Sequence, residues 1–399
     1  MNRNPGYISS LGIINALGYG KAEVARRLFS GDTSGVILED GWLPASQARV
    51  GKVVHALPEI RDPFGADNSR NNRLLLAAVE EIRTDIEQEI QRWGSNRVGV
   101  VLGTSTSGIG EGESAMQWYL DHGVWPEGYH YRKQEIGRTA TFLSEYLELA
   151  GPAFTVSTAC TSSGRALMSA RNLLHHDLCD AVITGGVDSL CRLTVNGFSA
   201  LEATSRDICN PMSINRSGIN IGEGAALFIL RREPAEVKLM GAGESSDAFH
   251  ISSPDPQGRG AKAAMKAALE DAFLMPEELN YVNLHATATL KNDEMESQAM
   301  DEIFPNSIPC SGTKPLTGHT LGAAGATELA FCWLTINREF NPELLLPPHR
   351  WDEEVDPALP DLSLVKKDER VTGNENRIIC MSNSFAFGGS NVSLIIGTG

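Results

Sequence analysis

Three things are scarce in this chain. Its seven cysteines are scattered (Cys160, Cys179, Cys191, Cys209, Cys310, Cys332, Cys380) and form no CxxC pair. That excludes a zinc-ribbon pattern and a disulfide framework, and it fits a reducing cytoplasm. Long apolar runs are also missing. None approaches the ~20 residues of a membrane span, and the short patch Leu11 to Leu17 lacks the basic flank and length of a signal peptide. Positive charge is in deficit, with 34 Lys and Arg against 50 Asp and Glu and a formal net charge of -16. This argues against nonspecific nucleic-acid binding, and an acidic protein partner would need a local basic patch. What is present is ordinary for a globular protein: 399 residues, 42% hydrophobic and 21% charged. That length suits two domains or one duplicated fold.

Apolar runs alternate with helical patterns. Arg70 to Trp93 reads as one helix, with Leu74, Leu75, Ala78, Val79, Ile82 and Ile86 at helical spacing and Gly94 as its stop. Arg70 and Arg73 share a face near its start, where basic residues oppose the helix dipole. Arg97 to Leu102 reads as a buried strand, followed by a Gly/Ser/Thr loop to Gly112 and a less regular aromatic region. Trp118, Tyr119, Trp125, Tyr129 and Tyr131 there suit either a partly apolar wall or core packing. Asp180 to Asp188 and Gly224 to Leu230 read as further strands. A basic pair and Pro234 then separate residues 1–234 from residues 235–399. The second part reads as helix at Gly260 to Phe273, strand at Tyr281 to Leu284, and helices at Asn292 to Phe304 and Gly322 to Ile336. It closes with a surface segment, Trp351 to Asn376, and two strands at Ile378 to Met381 and Val392 to Ile396. Strands alternating with helices in two halves predict a layered α/β fold with buried, largely parallel sheets.

The stretch Phe154 to Leu167 organises the rest. A β-prone run (Phe154 to Val156) stops at small residues, then Cys160 precedes a helical pattern. A thiol there would sit near a helix N-terminus, where free N–H groups favour a thiolate and can hold an oxyanion. Ser162 or Ser163 is available to bond first-turn amides. A buried structural cysteine is the competing reading. Three more stretches carry reactive side chains: Asn283 to Thr289 with Asp293 and Glu296 beyond; Ser311 to Gly325 with Glu328 on the next helix; and Asn383 to Asn391.

Cys160, His285, Lys314 and His319 in these contexts resemble the β-ketoacyl-acyl carrier protein synthases, the elongating condensing enzymes of the thiolase superfamily. The resemblance covers nearly the whole chain, including Gly222 to Ala225 and Ser245 to His250. It implies the five-layered αβαβα thiolase-like fold, built from two duplicated halves and usually dimeric. It implies decarboxylative condensation of malonyl-carrier protein with an acyl group held on Cys160. His285 and His319 would donate from Nε2 to the enolate oxygen, and the N–H groups of Cys160 and Phe387 would hold the tetrahedral oxyanion. Lys314 with Glu328 would shape the field around His319. Thr287 and Thr289 would hold the phosphopantetheine arm, and Phe387 would gate the acyl pocket. No cofactor or metal is implied, because substrates ride on the carrier protein. Arg70 and Arg73 would dock that acidic partner, with Arg132, Lys133 and Arg138 as weaker candidates. The remaining cysteines, His175, His176 and His349 are read as structural.

Three departures from the family pattern stand out. The family often has glycine where this chain has Ala286, Ala288 and Ala386, and Pro315 follows the lysine. Alanine disfavours positive φ, so these loops are expected to be locally different or stiffer. The departures suggest a specialised ketosynthase of a secondary-metabolite pathway, such as bacterial polyene synthesis. Ketosynthases of such pathways often pair with a second, non-identical ketosynthase-like chain, and homodimer and heterodimer both stay open. Thiolases and priming synthases use Cys-His-Cys or Cys-His-Asn, which two histidines with Lys314 oppose. A non-catalytic chain-length subunit commonly lacks the nucleophile that Cys160 supplies.

Overall fold

Side chains alternate between two buried faces along the strands, and this alternation sets the layers. Along β5 (Gly224–Arg231), Ala225, Leu227 and Ile229 pack into one core while Ala226, Phe228 and Leu230 pack into another. A computed structural model describes residues 6–398. The first half contributes β1 (Gly6–Asn15), β2 (Val98–Gly103), β3 (Ala153–Val156), β4 (Ala181–Asp188) and β5. The second contributes β6 (Val237–Ser246), β7 (Tyr281–Leu284), β8 (Cys310–Gly312), β9 (Ile379–Phe385) and β10 (Ser390–Thr398). Across the sheet they run β8-β7-β9-β10-β6-β1-β5-β4-β2-β3.

Each half therefore has the same order, third-second-fourth-fifth-first. Each also has the same directions: two parallel neighbours, then two antiparallel ones. The halves join through a short antiparallel pairing of β1 with β6 at Gly6 to Ile8. The helices repeat as well. The first half has α1 (Arg70–Glu81), α2 (Arg138–Tyr146) and α3 (Ser162–His175), and the second has α4 (Arg259–Ala272), α5 (Leu290–Ile303) and α6 (Ala324–Ile336). Helices α3 and α6 pack together between the two half-sheets, and every residue of α6 is buried. The outer helices cover the outer faces, which gives three apolar cores and five layers, αβαβα. No helix among the described residues is long and apolar enough to cross a membrane.

Two local readings of the sequence are corrected. Arg70 to Trp93 is two helices, α1 and Arg83–Trp93, broken at Ile82 with φ -118°. Just before the break, the Glu81 carboxylate accepts from Ile13 N (2.8 Å) and Lys21 N (2.7 Å). The end of α1 is thereby bound to β1, while Ile82 and Ile86 keep the apolar stripe on the sheet. The region after the Gly/Ser/Thr loop is a helix, Ile109–His122. Its aromatics fill no core, and Trp118 and Tyr129 line a partly apolar cleft open to solvent. Trp118, Trp125 and Tyr131 are 45, 49 and 68% exposed, and Tyr119, Trp125 and Tyr129 stack outside.

Candidate active site

The turn that carries Cys160 is held tightly. Gly103 ends β2, and a Cβ there would sit 2.3 Å from Ser163 N, so only glycine lets the strand pass this close to α3. Ala159 takes φ 53°, and Ser162 Oγ accepts from Thr158 N at 2.9 Å and donates to Ala159 O. The expected capping of α3 by its own serines is absent. Instead Ser163 Oγ accepts from Ala326 N at 2.8 Å, which ties α3 to the first turn of α6 in the other half. Cys160 is 7% exposed. Its thiol is pushed up to about 11, chiefly by burial, with the Lys314 charge and the N–H groups of Phe387 and Cys160 pulling it back. Burial therefore opposes the thiolate that the helix terminus favours. Those two N–H groups nevertheless converge on Sγ, beside where the carbonyl oxygen of a thioester under attack would come to lie.

Both histidines come from the second half. His319 Nε2 lies 3.0 Å from Cys160 Sγ, and one ligand atom from each of Cys160, His285 and His319 falls within 4.8 Å of the others. The two imidazoles meet edge-on, 5.4 Å between ring centres. Burial and the nearby Lys314 charge hold both well below their ordinary pKa, so both are neutral. Lys314 Nζ donates to His285 O, to His285 Nδ1 (3.2 Å) and to Glu328 Oε1 (2.5 Å), which uses all three of its N–H bonds. His285 Nδ1 is thus an acceptor, and Nε2 carries the proton. Burial raises the Glu328 carboxyl to about 7 despite the attraction of Lys314. His319 Nδ1 has no protein partner among the described residues, so its tautomer is free to change.

The loop after β7 takes the very conformations that alanine disfavours: Ala286 has φ 38° and Ala288 φ 59°. Ala386 needs no such geometry, since Gly388 and Gly389 make the left-handed turns of that loop. Thr287 and Thr289 hydroxyls lie 2.9 Å apart and, with Cys160, His285, His319 and Phe387, line a cavity of about 650 Å³ that opens to solvent. Phe198 packs against Phe387, ring centres 5.6 Å apart.

The proposed docking arginines are partly exposed and engaged within the fold. Arg70 forks onto buried Glu223 (Nε to Oε2 2.7 Å) and donates to Val53 O, and Arg73 donates to Pro58 O and Leu57 O. Arg132 and Arg138 share the buried carboxylate of Asp67. All four close ion pairs or loops within the fold. His349 is buried, accepting from Gly312 N at Nδ1 and meeting Pro211 O at Nε2. The residue missed in the sequence is Asp188, which ends β4. Its Oδ1 accepts from Thr104 Oγ1, Ser105 N, Thr106 N and Thr106 Oγ1, and its Oδ2 from Ala323 N, so it ties the loop after β2 to the segment between His319 and α6. A lone acid closing the apolar run DAVITGGVD was the only signal.

A thiol beside two neutral imidazoles, with two amides converging on its sulfur, on a duplicated thiolase-like fold, defines a thioester-condensing enzyme. Comparison with known proteins narrows the class. Residues 50–235 match "Beta-ketoacyl synthase, N-terminal domain" and residues 236–346 match its C-terminal domain. Nodulation protein E of Rhizobium meliloti is 32% identical over 86% of this chain and 87% of its own. The 3-oxoacyl-[acyl-carrier-protein] synthase 2 of Coxiella burnetii is 32% identical over 77% of each. Among solved structures, the ketosynthase ApeO of Xenorhabdus doucetiae, in complex with its chain length factor ApeC, superposes with TM-score 0.94 at 45% identity, covering 99% of this chain and 98% of that one. The chain belongs to the β-ketoacyl synthase family. It is an acyl-carrier-protein-dependent acyltransferase, a 3-oxoacyl synthase.

Proposed function

We propose that this chain is the catalytic subunit of a specialised, polyene-type chain-elongating system and works beside a non-identical chain-length subunit. The observation that carries the catalytic part is the trio itself: Cys160 Sγ 3.0 Å from His319 Nε2, with His285 held as the Nε2–H tautomer by Lys314. In this reading the Cys160 proton passes to His319 as sulfur attacks a carrier thioester, and the carrier thiol leaves with that proton. The malonyl unit then loses carbon dioxide. Its enolate oxygen accepts from His285 Nε2–H and His319 Nε2–H, the free Nδ1 of His319 allowing this change of tautomer. The carbanion attacks the acyl carbonyl on Cys160, and the oxyanion accepts from the N–H groups of Cys160 and Phe387. Collapse breaks the bond between the acyl carbon and Sγ, releasing a β-keto product two carbons longer and a Cys160 thiolate that takes up a proton from water in the open cavity. Lys314 and Glu328 set the His285 tautomer, Thr287 and Thr289 hold the carrier's arm, and Phe387 gates the cavity.

The partner assignment rests on different support. The 45% identical relative was solved in complex with its chain length factor. Among the described residues the outer edge of β3 is unpaired, Phe154 on it is 38% exposed, and Thr155 Oγ1 donates to Gly137 O, six residues after the exposed Tyr131. An open edge next to exposed aromatics is a surface suited to a second sheet. The intact trio argues against this chain being the non-catalytic subunit. The test is intact-mass analysis of Cys160 acylation by a panel of acyl-carrier proteins, alone and with a co-purified partner, followed by malonyl-carrier protein. Acylation that is lost in Cys160→Ala, then a two-carbon extension, is expected. An unmodified Cys160 under both conditions would make this the auxiliary chain.

A further inference from the structure

The left-handed alanines of the His285 loop demand something to hold them. Ala286 and Ala288 are both 0% exposed, and the Ala286 methyl fills the space left by Gly312, where a Cβ would sit 2.5 Å from it. Two carboxylates on the first turns of α5 meet this loop from below. Glu296 accepts from His285 N and Ala286 N, both at 2.7 Å, and Asp293 accepts from Ala288 N at 3.2 Å and Met212 N at 2.8 Å. Asn292 Nδ2 bridges the two acids. A left-handed residue lets successive amides point to one side, so the turn at Ala286 and the two bonds to the Glu296 carboxylate support each other. Neither acid lines the cavity. Between them they bind the backbone of a loop whose side chains, His285, Thr287 and Thr289, do line it.

We propose that Glu296 and Asp293 are positioning residues for condensation: a two-carboxylate clasp that holds Ala286 and Ala288 in left-handed turns and so aims His285 Nε2–H and the two threonine hydroxyls into the cavity. A carboxylate has only acceptors and suits two N–H groups at once, whereas a carboxamide would set its own N–H against one of them. With glycine in the loop the turn would stand with less help, so the dependence on the clasp is tied to this chain's alanines. The inference rests on the synthase reading above.

The test is a double-mutant cycle in the full protein at pH 8, using Glu296→Gln, Ala286→Gly and the two combined. Melting temperature, Cys160 acylation by intact mass and condensation rate with malonyl-carrier protein are read for each. Glu296→Gln is expected to slow condensation by at least ~10-fold while acylation changes less than ~3-fold. Ala286→Gly alone should change condensation less than ~2-fold, and in the double variant it should recover at least ~3-fold of the loss. A double variant as slow as Glu296→Gln, or a parallel fall of acylation and condensation, overturns the clasp. If Glu296→Gln does not fold, Asp293→Asn with Ala288→Gly runs the same cycle with the same outcomes. A wild-type protein that acylates but never condenses counts against the synthase reading instead. The melting cycle still decides the clasp in that case, since Ala286→Gly must then raise Tm more in Glu296→Gln than in wild type.

Discussion

Cys160 is readied by its neighbours and not by a standing charge. With burial holding its ionisation near about 11, the thiolate fraction grows tenfold per pH unit across the neutral and mildly alkaline range. Iodoacetamide labelling of the Cys160 peptide should therefore climb ~10-fold per unit from pH 7 to 10, where an ordinary thiol levels off near ~8.5. A plateau by pH 9 would show that the thiolate is stabilised after all. Lys314 sits among three acceptors with 1% of its side chain exposed. Lys314→Met should leave Glu328 buried and unpaired and cost about 3–5 kcal/mol of stability in a denaturant titration. Adding Glu328→Gln should return most of that stability but not the condensation rate, because nothing then fixes the His285 tautomer. The trio was legible in the sequence because nucleophile, imidazoles and lysine each stood in a distinctive local setting. The partners of Arg70 and Arg73 within the fold were not legible for a physical reason: a cation's acceptor across the fold, such as Glu223 for Arg70 at 0% side-chain exposure, leaves no mark within its own helix.

At the scale of elements, small residues and internal ion pairs decide the geometry. Gly103→Ala would force a methyl against Ser163 N and push β2 from α3. A loss of about 1–3 kcal/mol is expected from the overpacking, together with slower Cys160 acylation, both measurable on the same sample. Arg70→Ala should cost about 2–4 kcal/mol by leaving Glu223 without its partner, a range discounted because 34% of the Arg70 side chain is exposed. Carrier-protein affinity should stay within about 2-fold, and a large affinity loss at full stability would restore the docking role. Element positions were largely readable from apolar runs and their lengths, as in β4, β5 and α6. The break at Ile82 was not, since it follows from Glu81 reaching across to Ile13 and Lys21. Nor was the helix Ile109–His122, whose apolar residues face outward and so show no one-sided stripe.

Over the whole molecule, the open β3 edge and the exposed aromatics make a prediction about assembly. Phe154→Asp combined with Trp125→Asp should abolish co-purification with a second ketosynthase-like chain and shift the protein to a smaller species on size-exclusion chromatography. Unchanged elution would place the partner elsewhere. The sequence suggested two halves, but only the strand order reveals their equivalence, because the repeat is one of topology and no repeated motif accompanies it. That duplication splits the chemistry, with the thiol in one half and both imidazoles and an oxyanion amide in the other. The split also sets an order in time. A ribosome delivers Cys160 well before His285, His319 and Phe387, so a growing chain carries its thiol, with its own amide, before either imidazole exists. Domains tend to fold as they emerge, the first half leading. On the synthase reading, condensation therefore has to wait for the second half, which brings both imidazoles to the thiol.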